Sequence, residues 1–358
     1  MNYAKQTSPY IRKETSVKRM MVDVLIALLP VVVFAIYRFG WDAIIRILLS
    51  VVIMVVAEAI GMMMRVMVHP SVKGFKNRFK ARFEKLTINN VTAPLVSAII
   101  FAMIIPSTLN LYVVAVGAFF GIVVAKLFFG GLGSNIFNPA AIGRVFIGLS
   151  FASQFEYAGI DAAVGATPLG AVKDAMLNIP TVLQDYKLID LFLGNIPGSM
   201  GEISAILILV GAAYLFIRKA ADFRVTLSMV LSFSVIIFIA AIAQGSKNLV
   251  ETTLFHVLGG GLLFGAVFMI TDPVTSPYTR PGRWIYGLMV GVIAAFIRLF
   301  GAYPEGVAFA IIISNMFVAL LDYYKWSTNK YSWKFIIGYV VSLAALGLVA
   351  FIGMGGLN

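Results

Sequence analysis

Apolar residues run along this chain in long blocks separated by short polar or basic stretches, not in the one-face patterns of a water-soluble fold. The blocks cover roughly Met20–Phe39, Ala43–Val68, Val91–Ile105, Leu111–Phe129, Pro139–Phe151, Ile203–Ile217, Val225–Ala243, Leu254–Ile270, Ile285–Leu299, Gly306–Leu321 and Phe335–Met354. A membrane-spanning helix needs about 20 mostly apolar residues. The pattern therefore predicts an all-α polytopic membrane protein of about 10–11 transmembrane helices, with the short fifth and sixth blocks readable as partial helices. The first block follows Lys5, Arg12, Lys13, Lys18 and Arg19 and leads into a second span, so it is expected to be an anchor and not a removed signal peptide.

A weak internal similarity adds topology. Phe101–Ile105 followed by Pro106, then Gly117 and Gly121, resembles Phe268–Asp272 followed by Pro273, then Gly287 and Gly291. Copies separated by an odd number of spans are oppositely oriented, so two inverted five-helix halves are expected, with sites between them. The plainer alternative is that Gly and Pro are common in membrane helices. Four regions follow: a cytoplasmic segment 1–19, a first transmembrane half 20–152, an outer loop 153–202 and a second half 203–358.

Composition supports the same class, since 60% of the 358 residues are hydrophobic and 12% charged, with mean hydropathy +0.94. The net charge of +12 does not point to nucleic acid, because Lys and Arg fall in short loops between apolar blocks. Arg65, Lys73, Lys76, Arg78, Lys80, Arg82 and Lys85 stand against Glu84 alone, which marks the loop after the second block, and with it the N-terminus, as cytoplasmic. Lys126, the Arg218–Arg224 cluster, Arg280, Arg283, Lys325, Lys330 and Lys334 are expected on the same side, and the acidic loop 153–202 on the other. Cysteine is absent, which excludes disulfides and thiolate-held iron–sulfur clusters in this chain. His69 and His256 are far apart, which disfavours a His-rich metal or haem site.

Ionisable groups at membrane depth are costly and are functional candidates by default. Glu58, in the middle of the second block, is either part of an ion pathway or the partner of Arg65 or Arg144. Asp23, near the cytoplasmic end of the first block, is a second ion-pathway candidate. Arg298, near an outer end, is expected to snorkel. Asn135 and Asn138 lie among glycines and carry amides that both donate and accept, as the edge of a flat heterocycle requires, yet Asn138 before Pro139 also fits a helix N-cap. Asp272 before Pro273 has the same two readings, with capping preferred. In the outer loop, Asp161-Ala-Ala-Val164-Gly165-Ala166-Thr167-Pro168 offers an unhindered hydroxyl on a turn; Gly165, Pro168 and Gly170 equally make a plain turn.

That stretch resembles the flavin-attachment motif Asp-x-x-Ser/Thr-Gly-Ala-Thr of the RnfD and NqrB family, with Val164 standing where the motif has Ser or Thr. The segments Gly130–Arg144, Phe268–Pro277 and Tyr303–Phe309 resemble the same family, in the same order. With about 19 residues before its first span, the chain resembles RnfD more than the longer NqrB. The resemblance implies FMN esterified through its phosphate to Thr167, with Asp161, Gly165 and Ala166 as the rest of the attachment motif, and non-covalent riboflavin near Asn135 and Asn138. It further implies a membrane subunit of a bacterial inner-membrane complex that couples electron flow, of ferredoxin:NAD oxidoreductase type, to Na⁺ or H⁺ movement. Its partners would be the lipid bilayer and other membrane and peripheral subunits, including a second FMN-bearing subunit and iron–sulfur subunits. A transporter or channel without a redox cofactor, or an NqrB-type subunit, are the rival readings.

Overall fold

The structure is a computed structural model that describes residues 17–69, 71–155, 157–158, 164–165, 168–170, 186–301, 306–323 and 325–355. Among these, five helices are long and apolar enough to cross a membrane: α1 (Val17–Phe39), α2 (Trp41–Arg65), α9 (Phe223–Ala243), α12 (Arg280–Phe300) and α15 (Trp333–Gly353). A sixth span is broken into α10 (Leu249–Leu258) and α11 (Leu262–Phe264), which runs on as a π-helix Gly265–Met269 and is bent 61° from α10. Shorter apolar helices pack among these: α4 (Asn89–Met103), α5 (Leu111–Ile122, continued by a π-helix Val123–Leu127), α6 (Pro139–Ser150) and α8 (Ala205–Arg218). The eleventh block is thus real as α15, whereas the tenth breaks into α13 (Val307–Asn315) and α14 (Val318–Leu321). Two further helices lie outside the apolar blocks: α3 (Phe75–Phe83) and α7 (Leu188–Leu193). Within the outer loop, β1 (Tyr157–Ala158) pairs antiparallel with β2 (Val164–Gly165).

The α2 helix shows why these elements assemble in lipid. Ala43, Arg46, Ser50, Met54 and Glu58 recur at helical spacing and are buried, while Ile45, Leu48, Val52, Val56 and Ile60 are exposed. Polar groups face the protein and oil faces outward, the reverse of a soluble helix. Arg46 is satisfied inside by the Leu109 carbonyl at 2.9 Å and by Asp42.

The order α1, α2, α4, α5, α6 recurs as α8, α9, α10–α11, α12, α13. The neighbours α2–α4, α2–α5 and α5–α6 have counterparts in α9–α10, α9–α12 and α12–α13, and α1 packs on α8 and α6 on α13, each on its own counterpart. A two-fold relation between halves brings such elements together. The glycine pairs behave differently from one another. A Cβ on Gly121 would overlap the Pro139 carbonyl on α6, whereas one on its counterpart Gly291 would overlap the Met229 carbonyl on α9. The repeat therefore lies in the order and packing of elements, not in equivalent glycine contacts. The α15 helix stands outside it, joined to α9 where the Ser228 and Tyr339 hydroxyls meet at 2.9 Å.

Candidate functional site

Two cavities lie between the halves, one toward each end of the bundle. The first, about 60 Å³, is lined by Lys126, Asn135, Asn138, Thr271, Asp272 and the start of α1, with room for roughly four waters. The second, about 210 Å³, is lined by Ile104, Arg144, Phe155, Glu202, Gly260, Gly261 and Met269. Adjacent residues of one π-helix, Phe268 and Met269, face the first and second cavities respectively.

Glu58 does not pair with Arg65 or Arg144. Its Oε1 lies 3.1 Å from Lys126 Nζ, with both side chains shut off from the surface. Lys126 is accordingly no loop charge: it belongs to the π-helix that prolongs α5, and a single π-turn of this kind is a recurrent mark of functional positions. Its ammonium connects the Glu58 carboxylate to the first cavity. Asp23 is buried too, and accepts from Tyr214 at 3.1 Å and Arg218 Nε at 3.3 Å, tying α1 to α8.

Asn138 adopts the capping role. Its Oδ1 accepts from the backbone N–H groups of Ala140 and Ala141 at 3.0 and 3.3 Å, with Pro139 in the first turn. Its Nδ2 donates to the Met269 carbonyl and its backbone N–H to Asn315 Oδ1. Asn315 in turn donates to Thr275 O and Tyr286 OH, so one amide pair stitches the two halves together. Asn135 Nδ2 donates to Phe137 O at 3.3 Å. Asp272 caps a turn, accepting from Val274 N and Thr275 Oγ1.

At the other end, Arg298 does not snorkel. It is 5% exposed and donates to the carbonyls of His256 and Gly260. It thereby satisfies carbonyls that the break at Gly259–Gly261 leaves without helical partners. Gly260 and Gly261 have φ of 66° and 69°, a region that favours glycine. The Glu202 carboxylate packs where a Cβ on Gly261 would stand, at the start of α11, where the helix dipole favours negative charge. Arg144 donates to Ile104 O at 2.8 Å and stacks over the Phe155 ring at 4.2 Å.

Of the expected flavin-attachment residues, Asp161, Ala166 and Thr167 lie outside the described residues; Gly165 sits in β2. Leu169, two residues past Thr167, is 3% exposed and occupies the space over Gly259 and Gly260. The described segment Pro168–Gly170 is thus seated on the broken helix, beside the larger cavity.

Residues 4–334 match the family described as NQR2, RnfD, RnfE. The chain belongs to this family. Within it, a subunit of the proton-translocating ferredoxin:NAD(+) oxidoreductase complex of Clostridium ljungdahlii is 34% identical over 336 residues, covering 88% of this chain and 92% of that relative. A subunit of the Na(+)-translocating NADH-quinone reductase of Klebsiella pneumoniae is 37% identical over 239 residues, 64% of this chain and 58% of that relative. Its namesake in Haemophilus influenzae is also 37% identical, over 244 residues, with the same shares covered. The family match spans both halves and ends just inside α15, the helix that lies outside the repeat.

Sequence reading missed Lys126 as the partner of Glu58, the anchoring of Leu169 and the role of Arg298. Signals existed for two of them: Gly259-Gly260-Gly261 interrupts an apolar block, and Lys126 follows an unbroken apolar run from Leu111.

Proposed function

We propose that this chain is the flavin-carrying membrane subunit of an ion-translocating electron-transport complex of the ferredoxin:NAD oxidoreductase type. The family match over residues 4–334 carries this reading. The similarity to the Clostridium ljungdahlii protein over 92% of its length, against 58% for the Klebsiella pneumoniae protein, favours the Rnf-type complex. Its partners are then further membrane and peripheral subunits, among them a second FMN-bearing subunit and iron–sulfur subunits.

Thr167 is the proposed attachment point, its Oγ bonded to the phosphate of FMN. The seat of Leu169 supports the placement, because two residues span at most about 7 Å, and Gly260, under Leu169, also lines the larger cavity. That cavity suits a flat, partly anionic group: Arg144 and Phe155 would hold one face and the bare backbone of Gly260 and Gly261 the other. Bound there, a flavin supplies the one- and two-electron chemistry; the chain holds it, shields it from water and sets its surroundings. Riboflavin at the opposite end would meet Asn135, since the Asn138 amide oxygen is committed to its cap and its nitrogen to Met269.

Ion movement is assigned to the buried charges between the halves. Lys126 lines the first cavity with Glu58 paired behind it, Asp272 is on the cavity wall, and Asp23 is on α1 next to the lining residue Val24. Discontinuous helices and inverted halves around such a site are shared with secondary transporters. The basic loop Ser71–Lys85 and the N-terminus are placed in the cytoplasm and the chain in a bacterial inner membrane. The intact mass of the purified chain tests the reading: the expected result is the chain mass plus one esterified FMN, with flavin absorption in the visible. A colourless protein of unmodified mass would favour a transporter instead.

A further inference from the structure

The loop between α2 and α4 carries a helix that packs on almost nothing. None of the residues of α3, Phe75–Phe83, is buried, and Phe75, Phe79 and Phe83 are 85, 51 and 59% exposed. Exposed phenylalanines in a row are costly in water, and here the first two rings stack at 6.4 Å. At roughly 100° per residue these three fall within about 80° of arc. By the same wheel Arg78 and Arg82 border the stripe on one side, Lys76 and Lys80 border it on the other, and Asn77 and Ala81 point away.

That order is informative. A helix lying in a bilayer interface needs an apolar stripe facing down, cations along both edges at the depth of the headgroup phosphates, and polar or small residues on top. Lys73–Lys85 holds six basic residues against Glu84, so the edges complement an anionic surface. Position agrees as well. Two membrane helices bracket the segment, with α4 beginning six residues after Phe83, so the end of α3 lies within roughly 20 Å of it. Lys85 Nζ also reaches back to the Met67 carbonyl at 3.4 Å, which holds the two flanks of the loop together at the end of α2.

We propose that α3 is an interfacial helix that seats on anionic phospholipid headgroups of the membrane carrying the bundle, its phenylalanines in the acyl boundary and its four flanking cations on lipid phosphates. The site is independent of the flavin and of the electron-transfer reading.

The test uses the full chain in nanodiscs of mixed phosphatidylcholine and phosphatidylglycerol, with Phe79→Trp as the probe and the four native tryptophans measured separately on the unsubstituted chain. When the brominated acyl chains are on phosphatidylglycerol, the added indole emission is expected to fall at least twofold further than when they are on phosphatidylcholine. Replacing Lys76, Arg78, Lys80 and Arg82 together by Gln should equalise the two while leaving quenching itself. Because α3 carries no core residue, these variants are expected to keep the elution profile of the parent. Equal quenching by both lipids with the cations intact would overturn the anionic preference. An indole untouched by either lipid, open to aqueous iodide in discs and shielded only in the assembled complex, would assign the face to a protein partner and overturn the proposal.

Discussion

The Glu58 carboxylate and the Lys126 ammonium meet at 3.1 Å across α2 and the π-turn of α5, neither reaching the surface. Each is what makes the other tolerable, because a lone charge in that interior has no solvent to return to. Glu58 Oε2 has no hydrogen-bonding partner among the described residues, so the pair is short of full satisfaction.

This asymmetry gives the first prediction. Lys126→Met strands the carboxylate and Glu58→Gln strands the ammonium, each expected to cost about 3–5 kcal/mol or to force neutralisation of the survivor. The double change Glu58→Gln/Lys126→Met should recover most of that. Thermal inactivation of detergent-solubilised protein measures it; additive losses in the double variant would show that the two groups are not coupled. If the pair also lies on the ion pathway, the double variant regains stability but not coupled ion transport, with flavin content intact.

Asn138 supports a second prediction. Its side chain caps α6 and donates to Met269 across the halves, so Asn138→Ala is expected to cost about 1–2 kcal/mol for the cap alone, plus the bond to Met269. Asn138→Ser keeps a capping oxygen without adding charge and removes the amide donor to Met269, and should fall between the parent and the alanine variant. Equal stabilities for all three would remove the cap from the account of this junction.

The elements were legible in the chain because lipid imposes a length rule that overrides most local ambiguity. Ten of the eleven apolar blocks correspond to single helices or to one bent pair. Gly306–Leu321 breaks because Met316 and Phe317 leave the helix after Asn315, whose side chain is held by Thr275 and Tyr286. What escaped the sequence depends on rotation about helix axes. The apolar run before Lys126 shows that it lies inside a span, but whether it faces Glu58 turns on one extra residue in a π-turn, which no pattern of apolar positions reveals. Arg298 was misplaced for a related reason. Its depth follows from the break in a helix some forty residues earlier, whose free carbonyls give a buried guanidinium somewhere to bind. The capping of Asn138, by contrast, was local and readable from Asn-Pro alone.

Topology gives the third prediction. A reporter active only outside the cytoplasm should work when fused within residues 153–202 and fail when fused within Ser71–Lys85. Lys126 is paired inside the bundle and contributes nothing to this orientation, but six basic residues against Glu84 in Lys73–Lys85 suffice without it. The opposite activity pattern would invert the placement of both cavities and of the flavin.

The last prediction separates the proposed attachment of a flavin from its proposed seating. Attachment as a phosphoester depends on one oxygen atom, so Thr167→Val, which swaps a hydroxyl for a methyl at nearly constant volume, should reduce in-gel flavin fluorescence to background while the protein still inserts. Thr167→Ser restores an oxygen and should restore part of the label. Seating depends instead on the contact of Leu169 with the glycines of the broken helix. Gly260→Val places a branched side chain at a φ of 66° and into the space Leu169 occupies. That variant keeps Thr167, so it should remain labelled, while its loop becomes more readily cleaved by protease and its flavin absorption shifts toward that of the cofactor in water. Fluorescence persisting in the Thr167→Val chain would move the attachment to another residue. Label lost in Gly260→Val would mean instead that the modifying enzyme recognises the loop only when it is seated on the helix break.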